Sequence, residues 1–380
     1  MEALVILEVE SIVIVFCVLT ALALVSGFLM LWKVPLALKK EQQLSFGKTV
    51  SIIIPARNEE NRLPKLLKSL KEQSVYNIEI IVVDDDSKDQ TVAIAKGYGA
   101  KVIQRASSEE DIGKSAACWR GAQKANGDWL LFLDADTCFE NQFSLQHLLN
   151  TYQTVGGDGI LSFQPYHKIT HLYENMSAVF NIILMAGMNT FTPIGDKLKT
   201  AGSFGPCILC TSEEYFSVGG HKEIQGAIMD DLALGELFAK KDFPVRCYSG
   251  KETISFQMYP EGMKTLVEGW TKSFGTAAQS THPIVTLMIS SWISGSFFSM
   301  IALIGALSTT HYSLLVATSL LCILYLTQFY WLARRVGNFK FYALVFYPFQ
   351  FLFFVGLFVW SLILTKVFHR VKWRGRNIKV

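Results

Sequence analysis

The sequence carries almost no net charge: 35 Lys and Arg against 32 Asp and Glu leave +3 over 380 residues. Its basic residues gather around Lys33 to Lys40, Arg334-Arg335 and Lys366 to Lys379. They flank apolar runs instead of lining a groove, which speaks for membrane topology and against nucleic acid as a partner. A cysteine framework is also lacking. Seven cysteines are an odd number, and Cys207-x-x-Cys210 has neither a second pair nor a histidine at zinc spacing, so the thiols read as reduced and mostly buried in a cytosol-facing domain. Charged residues make up only 18% of the chain, against 51% hydrophobic ones and a mean hydropathy of +0.30. That is too apolar for an ordinary soluble protein and too charged for a wholly embedded one. A soluble domain with membrane spans reconciles the two.

Ile12 to Trp32 is nearly all apolar, close to the ~20 residues that cross a hydrocarbon core. Glu2, Glu8 and Glu10 precede it and Lys33, Lys39 and Lys40 follow it, which predicts an amino end outside. The absence of a basic n-region counts against a cleaved signal peptide. Three more long apolar runs follow at Ile284 to Leu307, Tyr312 to Ala333 and Phe341 to Leu364. If all three cross, the basic tail ends outside, against the tendency of Lys and Arg to stay in the cytosol. Pro348 breaking the last run into a re-entrant or tilted piece removes that conflict, as does one run lying on the membrane; a cytosolic tail is expected. The expected organisation is an anchor over 1–32, a cytosolic domain over 45–281 with interfacial helices, a membrane region over 284–366 and a basic tail over 367–380.

Within the soluble part, Thr49 to Pro55 is a short β-branched run, followed by Asn58 as expected N-cap, Glu59 and Glu60 in a first turn, and Leu63, Leu66, Leu67 and Leu70 at helical spacing. Ile78 to Val83 repeats the pattern and ends in Asp84-Asp85-Asp86-Ser87, with Ser87 and Gln90 spaced as a capping box for the next helix. Lys101 to Ile103 is a third strand, and Gly113-Lys114-Ser115 opens a helix leading to the strand Trp129 to Leu133. Apolar runs alternating with helical patterns predict an α/β fold with a mostly parallel sheet. Right-handed crossovers then bring Ala56 to Asn58, Asp84 to Ser87 and Asp134 to Asp136 to one rim. There Asp134 and Asp136, one residue apart at a strand end, form a site for a hard divalent cation, Mg²⁺ or Mn²⁺, that holds a diphosphate.

The motifs SIIIPARNEE, VVDDDSKDQT, GKSAACWRGA and LFLDADT, in this order, resemble the GT-A (Rossmann-like) domain of the inverting glycosyltransferases of family 2. The resemblance implies a nucleotide-sugar donor. It sets Pro55, Ala56, Arg57 and Glu59 near the nucleoside, Asp84 or Asp85 on the uracil edge, Lys114 near base or phosphate, and Asp134 and Asp136 at ribose and metal. Farther on, Asp230 and Asp231 precede a helical pattern. A hydroxyl acceptor must lose a proton on attacking the sugar C1, and in family 2 the base sits at such a pair, usually its second member. The alternative is a pair of first-turn acids favoured by the helix dipole.

His167 ends the strand Ile160 to His167 and reads as a hydrogen-bonding residue more than a catalyst. Met176 to Met188 is too short to span, so it is expected to be interfacial or buried and a wall of an acceptor tunnel. Met263, Leu266, Val267, Trp270 and Phe274 share one helical face, the pattern of an in-plane membrane helix, or of a domain helix packed on the sheet. Within family 2, ILSFQPYH, YENMSAVFN, GMNTF, SFGP, GGHKE and EGWTKSF resemble the glucosyltransferases of carotenoid acids. This implies transfer from UDP-glucose to the carboxylate of a C30 apocarotenoid at the membrane bilayer, giving an ester. A carboxylate acceptor, with a pKa of roughly 4, is already ionised and needs no base, so the acid pair would orient groups instead. The rival is a synthase acting on a lipid hydroxyl. A processive polysaccharide synthase is disfavoured by the absence of Gln-x-x-Arg-Trp after the acidic pair, and a non-catalytic nucleotide-binding protein by intact Asp134, Asp136 and Asp231.

Overall fold

The computed structural model describes residues 2–39, 47–75, 77–105, 111–227, 229–277, 280–368, 370–373 and 376–379. Lys40, Ser45, Ile228, Arg374 and Gly375, and the side chains of Phe274 and of the tail from Arg370 on, lie outside what is described. The chain forms two compact units: residues 34–168 with 200–258, and residues 1–33 with 169–199 and 259–380. The segments 169–199 and 259–277 group with the long apolar helices.

In the first of these units the strands are β1 (Val50–Ala56), β2 (Ile78–Asp84), β3 (Lys101–Gln104), β4 (Trp129–Leu133), β5 (Thr137–Phe139), β6 (Ile160–Gln164), β7 (Tyr166–His167), β8 (Cys207–Thr211), β9 (Val245–Ser249) and β10 (Ile254–Phe256). Seven form one sheet in the order β3-β2-β1-β4-β8-β6-β9, and β5-β10-β7 form a small second one. Strands β1, β2, β3 and β4 run parallel, while β8 is antiparallel to both β4 and β6. The apolar runs are continuous because both faces are covered. On one face Ile52, Ile54, Val82 and Leu131 meet Leu63, Leu66, Leu67 and Leu70 of helix Leu63–Lys71. On the other, Ile53, Ile81, Val83 and Leu130 meet Ala117 and Cys118 of helix Lys114–Gln123 and Phe238 of helix Asp230–Lys240. The strand order reverses between β1 and β4, the switch point outside whose carboxyl ends open α/β sheets bind ligands.

Two expected caps are not formed. Asn58 sits in the left-handed region (φ 54°), and its helix starts only at Leu63. Its Oδ1 accepts from Lys88 N (2.8 Å), while Asn58 N donates to Ser87 Oγ (2.9 Å). The helix after β2 starts at Thr91 with no side-chain cap from Gln90. Ser87 is drawn away by the neighbouring loop, so the local box loses to a tie between residues about thirty positions apart.

In the other unit, Glu8–Met30, Pro283–Leu307, Tyr312–Val336 and Tyr347–Lys366 are long and apolar enough to cross a membrane. Pro348 lies in the first turn of the last of these, preceded by the short helix Phe341–Leu344. Ala178–Ala186 is a buried helix. In helix Met263–Ala277, Leu266 and Trp270 are buried, with Trp270 stacked 4.8 Å from Phe180 and its Nε1 donating to Ser177 Oγ (2.9 Å), while Met263 on the same face is exposed. Periodicity records an apolar face without recording whether lipid or protein covers it.

Candidate active site

The loops after β1 and β2 are laced together at the switch point. Besides the Asn58 pair, Glu59 N donates to Thr91 Oγ1 (2.8 Å) and Glu60 N to Asp89 Oδ2 (3.1 Å). Pro55 is followed by Ala56, the buried last residue of β1, and Ala56 O accepts from Asp85 N (2.9 Å). Arg57 stays half-exposed and Glu59 is buried near Arg62.

Asp84 and Asp85 are buried and bonded to protein. Asp84 Oδ1 accepts from Ser87 N (3.3 Å). Asp85 pairs with Arg105 Nε (3.1 Å) and accepts from Gly113 N (3.2 Å). Gly113, with φ 104°, turns the chain sharply into helix Lys114–Gln123, a conformation that glycine adopts without a Cβ penalty. Asp85 therefore fixes where Lys114 begins.

Lys114 Nζ lies 2.8 Å from Asp134 Oδ1 at the end of β4 and 3.1 Å from Asp231 Oδ1 in the first turn of helix Asp230–Lys240. Asp230 Oδ2 accepts from Ser115 Oγ (3.1 Å). The three charged side chains of the ion pairs keep 22–29% of their surface exposed, enough for a ligand to reach them. Burial alone would lower the Lys114 pKa, but Asp134, Asp231 and Asp230 outweigh it and hold the ammonium charged well above its usual range. Burial lifts Asp231 above the ordinary carboxylate range; the Lys114 charge opposes this, and Asp230 and Asp134 add to it. Beyond Asp134 the chain turns tightly, Thr137 N and Oγ1 both donating to Asp134 O. Ala135 is buried while Asp134 and Asp136 on either side are partly exposed.

Three carboxylates thus gather about one ammonium, a net charge of two minuses when all are ionised. A diphosphate bound there would need positive charge, which a hard divalent cation would supply. Among the described residues no three side chains are placed together to hold a metal ion; a cation at Asp134 and Asp136 would take the rest of its shell from phosphate and water. The donor set fits such an ion.

Residues 51–204 match the family model described as Glycosyl transferase family 2. The chain is 38% identical over 345 residues to the 4,4'-diaponeurosporenoate glycosyltransferase of Staphylococcus aureus strain MRSA252, covering 90% of this chain and 91% of that one. It is equally similar to the protein of that name from strain USA300, 38% over 344 residues with the same coverage. The chain belongs to glycosyl transferase family 2. It is a glycosyltransferase, and the GT-A fold expected from its motifs is the fold observed. A solved mannosyltransferase from Pyrobaculum calidifontis, in complex with GDP-Man and Mn2+, shares this fold at TM-score 0.51 and 16% identity, over 90% of this chain and 99% of the other.

The structure of this family 2 enzyme also gives residues of the SFGP motif a place at the site, a role that the sequence analysis did not assign them. Ser203 Oγ donates to Asp231 O (2.7 Å), and a Cβ at Gly205 would overlap the Asp231 carboxylate. The segment Ala201 to Pro206 leads into β8, and Pro206 O accepts from Asp134 N (3.0 Å), so one short stretch braces both aspartates. Two glycines within four residues were the available signal. His167 is buried in β7, and burial pushes its pKa down to about 3, which favours the neutral imidazole.

Proposed function

We propose that the chain transfers glucose from UDP-glucose to the carboxylate of a C30 apocarotenoid, forming a glycosyl ester with inversion at C1. The observation that carries the reaction is Lys114 held between Asp134 at the donor-side strand end and Asp231 on the opposite helix. The acceptor rests on the printed name of the Staphylococcus aureus relatives and on their similarity over 90% of this chain.

In this reading an acceptor carboxylate oxygen bonds to C1 as the bond from C1 to the diphosphate oxygen breaks, and UDP departs with that electron pair. Asp134 and Asp136 would hold a divalent cation, which stabilises the charge developing on the leaving diphosphate. Lys114 adds a fixed positive charge beside Asp134. The loop ties of Asn58, Glu59 and Asp85 hold the rim around Pro55, Ala56 and Arg57 rigid for the nucleoside. An ionised acceptor needs no general base, so Asp231 and Asp230 orient the sugar hydroxyls and the acceptor. The catalytic unit faces the cytosol, where nucleotide sugars are available, and the apolar helices hold the enzyme in the plasma membrane.

A second reading, transfer to a lipid hydroxyl, is favoured by one observation: burial raises Asp231 toward the range a general base uses. Membranes containing the chain, given UDP-glucose, UDP-galactose or GDP-mannose with either a polyene acid or a diacylglycerol, distinguish the readings. A hexosylated polyene acid formed from UDP-glucose is expected. Product from the diacylglycerol alone would replace this reading with the second.

A further inference from the structure

The helix Tyr347–Lys366 passes every compositional criterion for a membrane span, yet its contacts place its beginning deep in the bundle. The helices Glu2–Met30, Pro283–Leu307 and Tyr312–Val336 lie side by side with matched depths. Arg335 Nη1 donates to Leu31 O (2.5 Å), which fixes Val336 and Leu31 at one end. Trp292 Nε1 donates to Gln328 Oε1 (3.2 Å), both about 12–14 Å from that end at the ~1.5 Å rise of a helix. Cys322 Sγ donates to Ser299 O (3.3 Å), and both stand about 21–24 Å from it by the same rise.

Tyr347 meets this deep level. Its hydroxyl is 2.7 Å from Ser299 Oγ, and its ring is stacked 5.2 Å from Tyr325. One turn later Phe351 packs against Trp292 (4.8 Å) and Phe329 (5.2 Å), already nearer the Val336 end. Ser361 Oγ donates to Thr271 O (2.5 Å), on the helix that precedes Pro283. Ser361 is about 21 Å along its own helix from Tyr347, so the chain has returned to the level at which it entered. The entry is anchored there as well: Asn338 Oδ1 accepts from Ile169 N (2.5 Å), and Lys340 N donates to Asn175 Oδ1 (2.9 Å).

Between entry and return the helix is interrupted at Val345 and Phe346. Non-helical backbone at membrane depth persists only where its polar groups find partners. Gln350, buried at 2% exposure, supplies one by donating Nε2 to Ala343 O (2.8 Å), and Phe349 N donates to Phe346 O (3.0 Å). Pro348 falls in the first turn, where its missing N–H costs nothing. Tyr342, Phe346 and Phe349 are 65%, 76% and 61% exposed, an aromatic surface suited to acyl chains.

We infer that residues 341–366 form a re-entrant hairpin that enters and leaves on one face of the membrane, so that three helices cross it and the basic tail emerges on the side of Arg334 and Arg335. This removes the conflict that four crossings create with the preference of Lys and Arg for one side.

Two single-cysteine additions to the full chain test it, Thr310→Cys in the turn after Leu307 and Lys366→Cys at the end of the last helix, with the unmodified chain as baseline. An impermeant maleimide applied to intact cells is expected to label one and not the other, the second becoming labelled only on permeabilisation. Labelling of both from the same side overturns the inference. A nitroxide at Phe346→Cys in reconstituted full-length protein gives an independent reading. It is expected to show the high oxygen and low nickel-chelate accessibility of the bilayer interior; headgroup-level accessibility means a fourth crossing and overturns the inference.

Discussion

Replacing Gly205 by Ala isolates the placement of Asp231 from its chemistry. The added Cβ overlaps the Asp231 carboxylate. Restoring an ordinary contact of about 3.5–4 Å moves that carboxylate on the order of 2 Å, and misplacement on that scale costs about 10²-fold in rate. Asp231 then loses its 3.1 Å contact with Lys114, while Lys114 keeps Asp134 at 2.8 Å, so the donor side is left intact. The added methyl itself costs about 1–3 kcal/mol of stability, which thermal unfolding measures separately. The assay is steady-state transfer with UDP-glucose and a polyene acid, alongside calorimetric UDP binding. We expect kcat to fall about 10²-fold with UDP affinity unchanged. Asp231→Asn, which keeps position and removes basicity, should cost far less, because the carboxylate acceptor proposed here would already be ionised. A Gly205→Ala enzyme with wild-type kcat would refute the positioning argument; a thousandfold loss in Asp231→Asn with UDP binding intact would return the hydroxyl reading.

Asp136→Ala should abolish most turnover while leaving the protein folded and membrane-bound, and chelation should do the same to the native enzyme; full activity under chelation contradicts the cation site. Burial pushes His221 down to about 4, below its unfolded value of about 6.5. On acidification the unfolded chain therefore takes up a proton that the folded one refuses, and stability falls as pH drops from about 6.5 toward 4. His221→Gln should flatten the acid side of the Tm–pH curve, and an unchanged slope counts against this. For orientation, an engineered cysteine at Lys88 should resist an impermeant label in intact cells, and reaction there would place the catalytic unit outside.

The central parallel strands were legible because burial on both faces writes unbroken apolar runs such as Ile52 to Ile54 and Leu130 to Leu133. Strand β8 was not, since five residues following Gly205-Pro206 carry no sign of their antiparallel place between β4 and β6. Asn58 and Ser87 misled for a related reason: a side chain that caps locally in isolation was taken by a loop distant in sequence. At the site, Asp134, Asp231 and Lys114 were each visible as chemistry, but not their convergence on one ammonium. Nor was the dependence of Asp231 on Ser203 and Gly205, because close backbone approach leaves only a missing side chain in the sequence.

The linkage formed in the product tests the central claim most directly. Glucosylated product made from UDP-glucose and a polyene acid, treated with hydroxylamine under mild alkali, should release free glucose and leave the acid as its hydroxamate, as an ester must. Glucose that stays attached under those conditions would show a bond to a hydroxyl oxygen and contradict the account.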